Sequence, residues 1–407
     1  MCIRRVWGAN PIDMDIALYR KIARENFHGL KKLHLYGLGE PLINPYFLEM
    51  VRIARENLPS EGIISFTTNG SLLNSNLADK LLKIGVDSIS FSIDTLNIAK
   101  LRHIRSGSQP KIIIRNFKHI ARVKRRLNHR FKLGVETVLM RENYEDLPKL
   151  IEKAAEEDVD YILVSHVVPY TKSVFKSSTY VTMSSFPLNI IRQVSLPERK
   201  LMLNPSYDFL SRLYGRNAGS ETLKKFINLW RRVDERGYWI NPPLFFAFED
   251  KINLIDEEKK IFYESRKVAG KYGITLKLPN IYPDARNRHC PYVDKNAAVV
   301  RSDGKVTSCL EFTYTHPMYV NMHLKNMREV VFGDLTKEKL EDIWSREKYV
   351  DFRETRRNFV ENIPWCGDCI YSTQKCFFTK TNEGDCYGNE PGCSECLYSV
   401  DLAQCNI

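Results

Sequence analysis

Leu33-His-Leu-Tyr-Gly-Leu-Gly-Glu-Pro-Leu42 begins as a run of strand formers and ends in two glycines bracketing one residue, a carboxylate and a proline. Leu33 to Tyr36 predicts a strand. Gly37 and Gly39 let backbone approach a ligand closely, Glu40 can accept from an amine or hydroxyl, and Pro41 stiffens the turn. Two similar ends follow: the strand predicted at Ile63 to Thr68 runs into Thr67-Thr-Asn-Gly70, and that at Ser88 to Ile93 contains Ser92 and leads into Asp94. Taken singly these are weak, since Asn69-Gly70 is a common turn dipeptide and Asp94 can be a helix cap. Three in succession point to one site, because open and barrel-shaped parallel sheets gather their chemistry at the C-terminal strand ends.

Between and beyond these strands the pattern turns helical. Helices are predicted at Pro11 to Asn26, Pro45 to Asn57, Leu77 to Ile84 (stopped by Gly85), from about Lys111, and at Tyr144 to Glu157. Further strands are predicted at Phe131 to Leu139 and Tyr161 to His166. Such alternation implies a parallel sheet with helical crossovers. The series starts on a helix behind Cys2, so a first strand is expected upstream of it. Four regions emerge: 1–169, the barrel; 170–255, an insertion covering the mouth of the sheet; 256–289, the barrel end and linker; and 290–407, a cysteine domain. The insertion carries a predicted helix at Ser220 to Arg236 and the aromatics Trp230, Tyr238, Trp239, Phe245, Phe246 and Phe248, which are more often core than pocket lining. His166, at a strand end, is a candidate ligand or proton carrier, although a hydrogen-bonded structural role is commoner. A helix at Asp256 to Tyr272 and a strand at Ile274 to Leu278 then lead to Cys290.

Of ten cysteines, seven fall between Cys366 and Cys405: Cys366, Cys369, Cys376, Cys386, Cys393, Cys396 and Cys405. Cys290 and Cys309 precede them, across a hairpin expected to turn at Asp303-Gly304. The first ten residues lack the apolar core of a secretion signal, and no run of about 18 apolar residues occurs. The expectation is a cytoplasmic chain whose thiolates bind a soft metal, zinc or iron–sulfur, rather than form disulfides. The net charge of +12 is concentrated in Lys100 to Lys132, which holds twelve Lys and Arg and no Asp or Glu. Apolar residues at helical spacing (Ile113, Phe117, Ile120, Val123, Leu127) make this a solvated helix face before they make it a nucleic-acid surface.

Cys2-Ile-Arg, Gly37-Leu-Gly-Glu-Pro-Leu42, Thr67-Thr-Asn-Gly70 and Phe91-Ser-Ile-Asp-Thr95, in that order and spacing, resemble the radical S-adenosylmethionine (radical SAM) enzymes. Cys290-x13-Gly304-x4-Cys309 and the distal cysteines resemble a SPASM extension, a domain that holds auxiliary [4Fe–4S] clusters. Asp385-Cys-Tyr-Gly-Asn389 and Cys393-x2-Cys396-Leu397 are similar to the maturases of tungsten cofactor oxidoreductases. The resemblance implies a partial (β/α)6 barrel with a C-terminal iron–sulfur domain. It implies that Gly37, Gly39 and Glu40 hold the methionyl amino group of SAM, with Asn69 beside them. Ser92 and Asp94 would contact ribose or the methionyl carboxylate, with Arg141 a further candidate for that carboxylate. All ten cysteines, Cys2 included, become candidate ligands. Cys290 and Cys309 would serve a nearer cluster and Cys366, Cys369 and Cys376 a farther one, leaving Cys386, Cys393, Cys396 and Cys405 unassigned.

The family ligates its SAM-binding cluster through Cys-x3-Cys-x2-Cys, and only Cys2 of that motif is present. The expectation is that Met1 is an internal methionine or the chain a fragment; as written, one thiolate does not replace three. The implied activity is reductive cleavage of SAM to a 5′-deoxyadenosyl radical. Its substrate would be a peptide, a protein or a pterin-type cofactor, possible partners being a tungsten oxidoreductase and an acidic donor such as ferredoxin or flavodoxin. Neither membrane nor nucleic acid is expected as a partner. Rival readings are a zinc-bearing interaction module and a non-catalytic iron–sulfur electron-transfer or scaffold protein.

Overall fold

A computed structural model describes residues 2–8, 12–127, 131–194 and 221–407. Six strands, β1 (Lys32–His34), β2 (Ile63–Thr68), β3 (Ser88–Ser92), β4 (Lys132–Leu139), β5 (Tyr161–His166) and β6 (Thr275–Lys277), form one sheet in sequential order. Every neighbouring pair is parallel. Among the described residues no pairing returns from β6 to β1, so the sheet is a partial barrel, as expected.

The crossovers are α1 (Ile16–Asn26) ahead of β1, then α2 (Phe47–Asn57), α3 (Ser75–Ile84), α4 (Ile98–Ile104), α5 (Pro110–Arg126) and α6 (Leu147–Ala155). Helix α1 starts later than its proline suggested, because the Asp15 carboxylate accepts from the amides of Ala17 and Leu18 and makes the cap. Asn74 likewise caps α3, and Gly85, at φ 109°, ends it. The short α4, which its seven residues hid from periodicity, is capped by Asn97.

Alternation along the strands separates two faces. Ile64, Phe66, Ile89, Phe91, Leu133, Val135, Ile162 and Val164 are buried in the main core. Their neighbours Ser65, Thr67, Ser88, Ser90, Gly134, Glu136 and Tyr161 face inward. Parallel strands buried on both faces are normally apolar throughout, so this polar inner face marks a chamber. Gly134 is required there, since a Cβ on it would lie 2.2 Å from the Tyr161 ring, whose hydroxyl reaches Ser88 and Ser90. Residues 401–406 run along the same face. Leu402 C=O accepts from His166 N, Ser165 Oγ accepts from Gln404 N, and the Asn406 amide donates to Ser90 and Glu136.

Most of the basic window is solvent-exposed, as expected of a solvated helix face, and Lys124 alone among its described cations is buried. Lys124, 2% exposed, donates to Asp160 and to the Asp158 carbonyl; Arg125 pairs with Asp158, and Arg126 with Asp79. Its positive charge holds α5 to the loop ahead of β5 and to α3.

Between β5 and β6 come α7 (Lys172–Ser177), α8 (Ser185–Arg192), α9 (Glu221–Asp234), α10 (Pro242–Ala247) and α11 (Glu249–Tyr272). Phe175, Phe245 and Phe248 share a second core with Tyr319 of the cysteine domain, whereas Trp239 is 53% exposed. Ser184 donates from both its amide and hydroxyl to Asp368, and the Asn241 amide donates to the Cys369 carbonyl. This region therefore lies against the cysteine domain. The long α11 packs on α6 and brings Glu258 beneath His166.

His166 takes the structural role. It is 1% exposed, with Nε2 bonded to the Asn280 carbonyl and Nδ1 to the Thr179 hydroxyl, and burial lowers its pKa to about 3. The Glu258 carboxyl accepts from Thr179 at 2.7 Å, and burial pushes its pKa up to about 7. A carboxyl raised in the folded state contributes stability below its unfolded pKa of about 4.3. That stability is lost as pH climbs through about 7. Glu258→Gln is accordingly expected to match the parent in urea unfolding at pH 5 and to exceed it by about 1–3 kcal/mol at pH 8.

The cysteine domain opens with α12 (Pro291–Asp294) and the hairpin of β7 (Val299–Val300) and β8 (Lys305–Thr307), turning at Gly304 with φ 85° as predicted. A second hairpin joins β9 (His316–Val320) to β10 (His323–Met327), and β11 (Gly333–Asp334) pairs with β8. Helices α13 (Leu340–Ser345), α14 (Glu347–Arg357) and α15 (Phe359–Asn362) then lead to the cysteine-rich loops. No described helix is long and apolar enough to cross a membrane.

Candidate functional site

At the C-terminal edge of the sheet, the loop after β1 folds back over the loop after β2. Glu40 Oε1 accepts from the Thr68 hydroxyl at 2.6 Å and the Leu42 amide at 3.2 Å, while Oε2 accepts from the Asn69 amide at 2.6 Å. Burial raises the Glu40 pKa; these hydrogen bonds and nearby Arg105 pull the other way. Asn69 is a turn former, its Oδ1 accepting from the amide and hydroxyl of Ser71. A Cβ on Gly37 would meet nothing within 4 Å, and one on Gly39 only Arg4 Nη1 at 3.6 Å. The Arg4 contact brings the Cys2 loop beside the glycine turn. Cys2 itself is exposed.

Asp94 lies at the same edge with its side chain fully enclosed, gripped by Arg105 through Nε at 2.5 Å and Nη2 at 3.0 Å and by the Val138 amide at 3.0 Å. Arg105 also feels the charges of Cys2 and Glu136, so it is the cation within reach of the Cys2 loop. Ser92 is half-buried at the end of β3. Arg141 lies past β4, where its amide donates to Ser177 O and its Nε is buried without a partner among the described residues. Its charge helps lower the pKa of Lys251, so its guanidinium is turned toward the α7–α11 region.

The cysteines separate into two sets and two single residues. Cys290, Cys309, Cys393 and Cys396 line one cavity with Tyr292, Glu311, Lys325, Phe352 and Tyr398. Burial raises the Cys290 thiol to about 11, and burial together with Cys396, Cys290 and Cys393 drives Cys309 far upward. A farther set joins Cys366 to Cys369, Cys369 to Cys376, and Cys386 to both Cys369 and Cys376 through their mutual electrostatic effects. Cys393 and Cys396 thus line the cavity of the nearer pair, and Cys386 falls within the electrostatic reach of Cys369 and Cys376. Cys405 stands apart on the inner face of the barrel. Its sulfur accepts from the Tyr292 hydroxyl at 3.3 Å, and burial raises its pKa to about 12.

Glu311, two residues past Cys309, joins the nearer set to the barrel chamber. It accepts from the Tyr170 hydroxyl at 3.4 Å and pairs with His316 at 3.2 Å. Tyr36, immediately before Gly37, lies within the electrostatic reach of Cys405, Glu136 and Glu311. Arg105, Glu311, Tyr36 and Tyr170 have no motif and were absent from the sequence-based site. The one signal that marked the chamber was the serine alternation of Ser88-Ile-Ser-Phe-Ser92.

The donor chemistry fits the expected groups unequally. Four thiols lining one cavity suit a cluster that takes one thiolate per iron, and the farther four are linked by mutual electrostatic influence alone. The open glycine turn with Glu40 suits an ammonium group. Cys2 alone supplies one of the three thiolates that a SAM-binding cluster takes.

The sequence family described as the radical SAM superfamily matches residues 1–154, and SPASM, an iron–sulfur cluster-binding domain, matches residues 290–370. The tungsten-containing aldehyde ferredoxin oxidoreductase cofactor-modifying protein of Pyrococcus furiosus is 28% identical over 413 residues, covering 100% of this chain and 93% of its own. A probable GTP 3′,8-cyclase of Sulfurisphaera tokodaii is 30% identical over 291 residues, 65% of this chain and 87% of its own. Among solved structures, Streptococcus suis SuiB bound to S-adenosylmethionine aligns with a TM-score of 0.48 at 14% identity, over 85% of this chain and 63% of that one. With the glycine–glutamate turn at the strand ends and four thiols lining one cavity, the chain belongs to the radical SAM superfamily and carries a SPASM iron–sulfur domain.

Proposed function

We propose that the protein is a radical SAM maturase acting on a protein-bound or pterin-type cofactor, in the manner suggested by its similarity to the Pyrococcus furiosus cofactor-modifying protein. The observation that carries this reading is the nearer thiol set lining a cavity with Glu311, which is in electrostatic reach of Tyr36, just ahead of the Gly37–Glu40 turn. When bound, iron–sulfur clusters supply the electrons for cleaving SAM and the radical chemistry that follows.

The chain's own residues have separable tasks in this reading. Glu40 accepts the methionyl ammonium, and its bonds to Thr68, Leu42 and Asn69 keep the carboxylate in place for it. Arg105, held by Asp94, presents positive charge toward the SAM carboxylate. Tyr36 and Tyr170 wall the chamber, excluding water from it. The Glu311–His316 pair sits where a proton can be held next to the substrate, since burial lowers the His316 pKa but the Glu311 carboxylate outweighs it and raises it overall.

Anaerobic reconstitution followed by iron, sulfide and zinc counts and by assay of 5′-deoxyadenosine tests the reading. About eight irons with matching sulfide are expected for the two four-thiolate sets. 5′-Deoxyadenosine is expected from a preparation whose Cys2 loop carries all three thiolates of the motif, and not from Cys2 alone. Glu40→Ala in that preparation should retain its iron and lose SAM binding. Zinc in place of iron would put the interaction-module reading first.

A further inference from the structure

Arg356 on α14 is 2% exposed, yet among the described residues no carboxylate pairs with it. Its Nη1 donates to the Phe352 carbonyl at 3.1 Å and its Nη2 to the Pro391 carbonyl at 2.6 Å. Its Nε and Nη2 each lie 3.4 Å from the sulfur of Cys393, and its guanidinium stacks 3.7 Å over the Phe352 ring. Carbonyls satisfy the N–H groups but leave the charge uncompensated. An arginine stays protonated in proteins, and an uncompensated buried charge is costly, so a compensating negative group belongs next to it.

The other cation at the cavity behaves differently. Lys325, also 2% exposed, pairs with Glu395 at 3.0 Å, and Glu395 further accepts from Asn321 and bonds His323. Lys325 is therefore locally balanced. What Arg356 faces is the nearer thiol set, and four thiolates around an iron–sulfur cube carry net negative charge.

We propose that Arg356 is the counter-ion of the nearer cluster, holding Cys393 by two charge-assisted hydrogen bonds and raising the reduction potential of the group bound there. Hydrogen bonds to ligand sulfur and net local charge are the two levers by which a protein moves such potentials, and Arg356 supplies both. It is a positioning residue: it touches the ligand and no substrate atom. The inference rests on the proposed function only in requiring that Cys290, Cys309, Cys393 and Cys396 hold a cluster.

The test is a redox titration of the reconstituted full chain followed by electron paramagnetic resonance, with the nearer signal assigned by its disappearance in Cys309→Ser. Arg356→Gln is expected to shift the nearer midpoint downward, changing its oxidised-to-reduced ratio at fixed potential by at least tenfold, about 59 mV for one electron. The farther midpoint should not move. Arg356→Lys, which keeps the charge, should shift less, and it decides the matter if the glutamine variant fails to assemble. Full iron and sulfide with an unmoved nearer midpoint in both variants would overturn the proposal alone. Parent protein that takes up no iron would instead remove the cluster reading, and this proposal with it.

Discussion

Arg105→Ala is expected to cost about 3–5 kcal/mol of barrel stability, because it strands a buried carboxylate. Asp94 has no exposed side-chain surface, and Arg105 makes two of the three bonds that satisfy its oxygens. Asp94 also anchors its surroundings, since its backbone carbonyl accepts from Asn143 Nδ2 at 2.8 Å. Urea unfolding followed by tryptophan-independent probes such as far-ultraviolet circular dichroism would read the loss. The distinguishing measurement is the double variant. Asp94→Asn with Arg105→Ala removes the stranded charge while keeping an acceptor for Val138 N, so it should be more stable than Arg105→Ala alone. If the double variant is the worse of the two, burial of the Asp94 charge is not what makes Arg105 necessary.

Cys396→Ser should lower iron from about eight to about four per chain, with loss of one cluster signal and retention of the other. The expectation follows from the separation of the two thiol sets. Cys396 shares its cavity with Cys290, Cys309 and Cys393, while Cys386 is tied to Cys369 and Cys376. Cys405→Ser serves as the contrast, because its sulfur is engaged by Tyr292 on the barrel side. That variant is expected to keep all of its iron. Loss of four irons from Cys405→Ser, with none lost from Cys396→Ser, would reverse the assignment of ligands.

The sheet was legible because its strands and crossovers follow two different periods. β2 and β5 fall where the apolar runs predict them, and Gly85 and Gly304 end a helix and turn a hairpin at positive φ as glycine should. Helix starts were less legible, since Asp15 and Asn74 move them through side-chain caps that the hydrophobic pattern does not register. The glycine–glutamate turn could be read because its function needs residues contiguous in sequence. Arg105 and Glu311 could not, because folding rather than sequence brings them to Asp94 and to Tyr170. Charge was legible as a solvated face, most of its Lys and Arg being exposed, but not in the one buried member, Lys124, which pairs with Asp160. The division of the thiols was the least readable, since Cys393 and Cys396 join cysteines 84 to 106 residues upstream rather than their neighbours.

The path of residues 401–406 along the inner face of the sheet sets an order of assembly. Asn406 bonds Glu136 across 270 positions and Ser90 across 316, while Gln404 donates to Leu278 O and Ser165 Oγ. Contacts this distant in sequence are slow to form. During synthesis the six strands emerge with their inner serines, Glu136 and Tyr161 still solvated, and the chamber reaches its final lining only after both thiol sets have been made. Completion of the chamber therefore waits on synthesis of the whole cysteine domain. A barrel whose cysteine domain has not yet been made is also one whose floor is not yet laid.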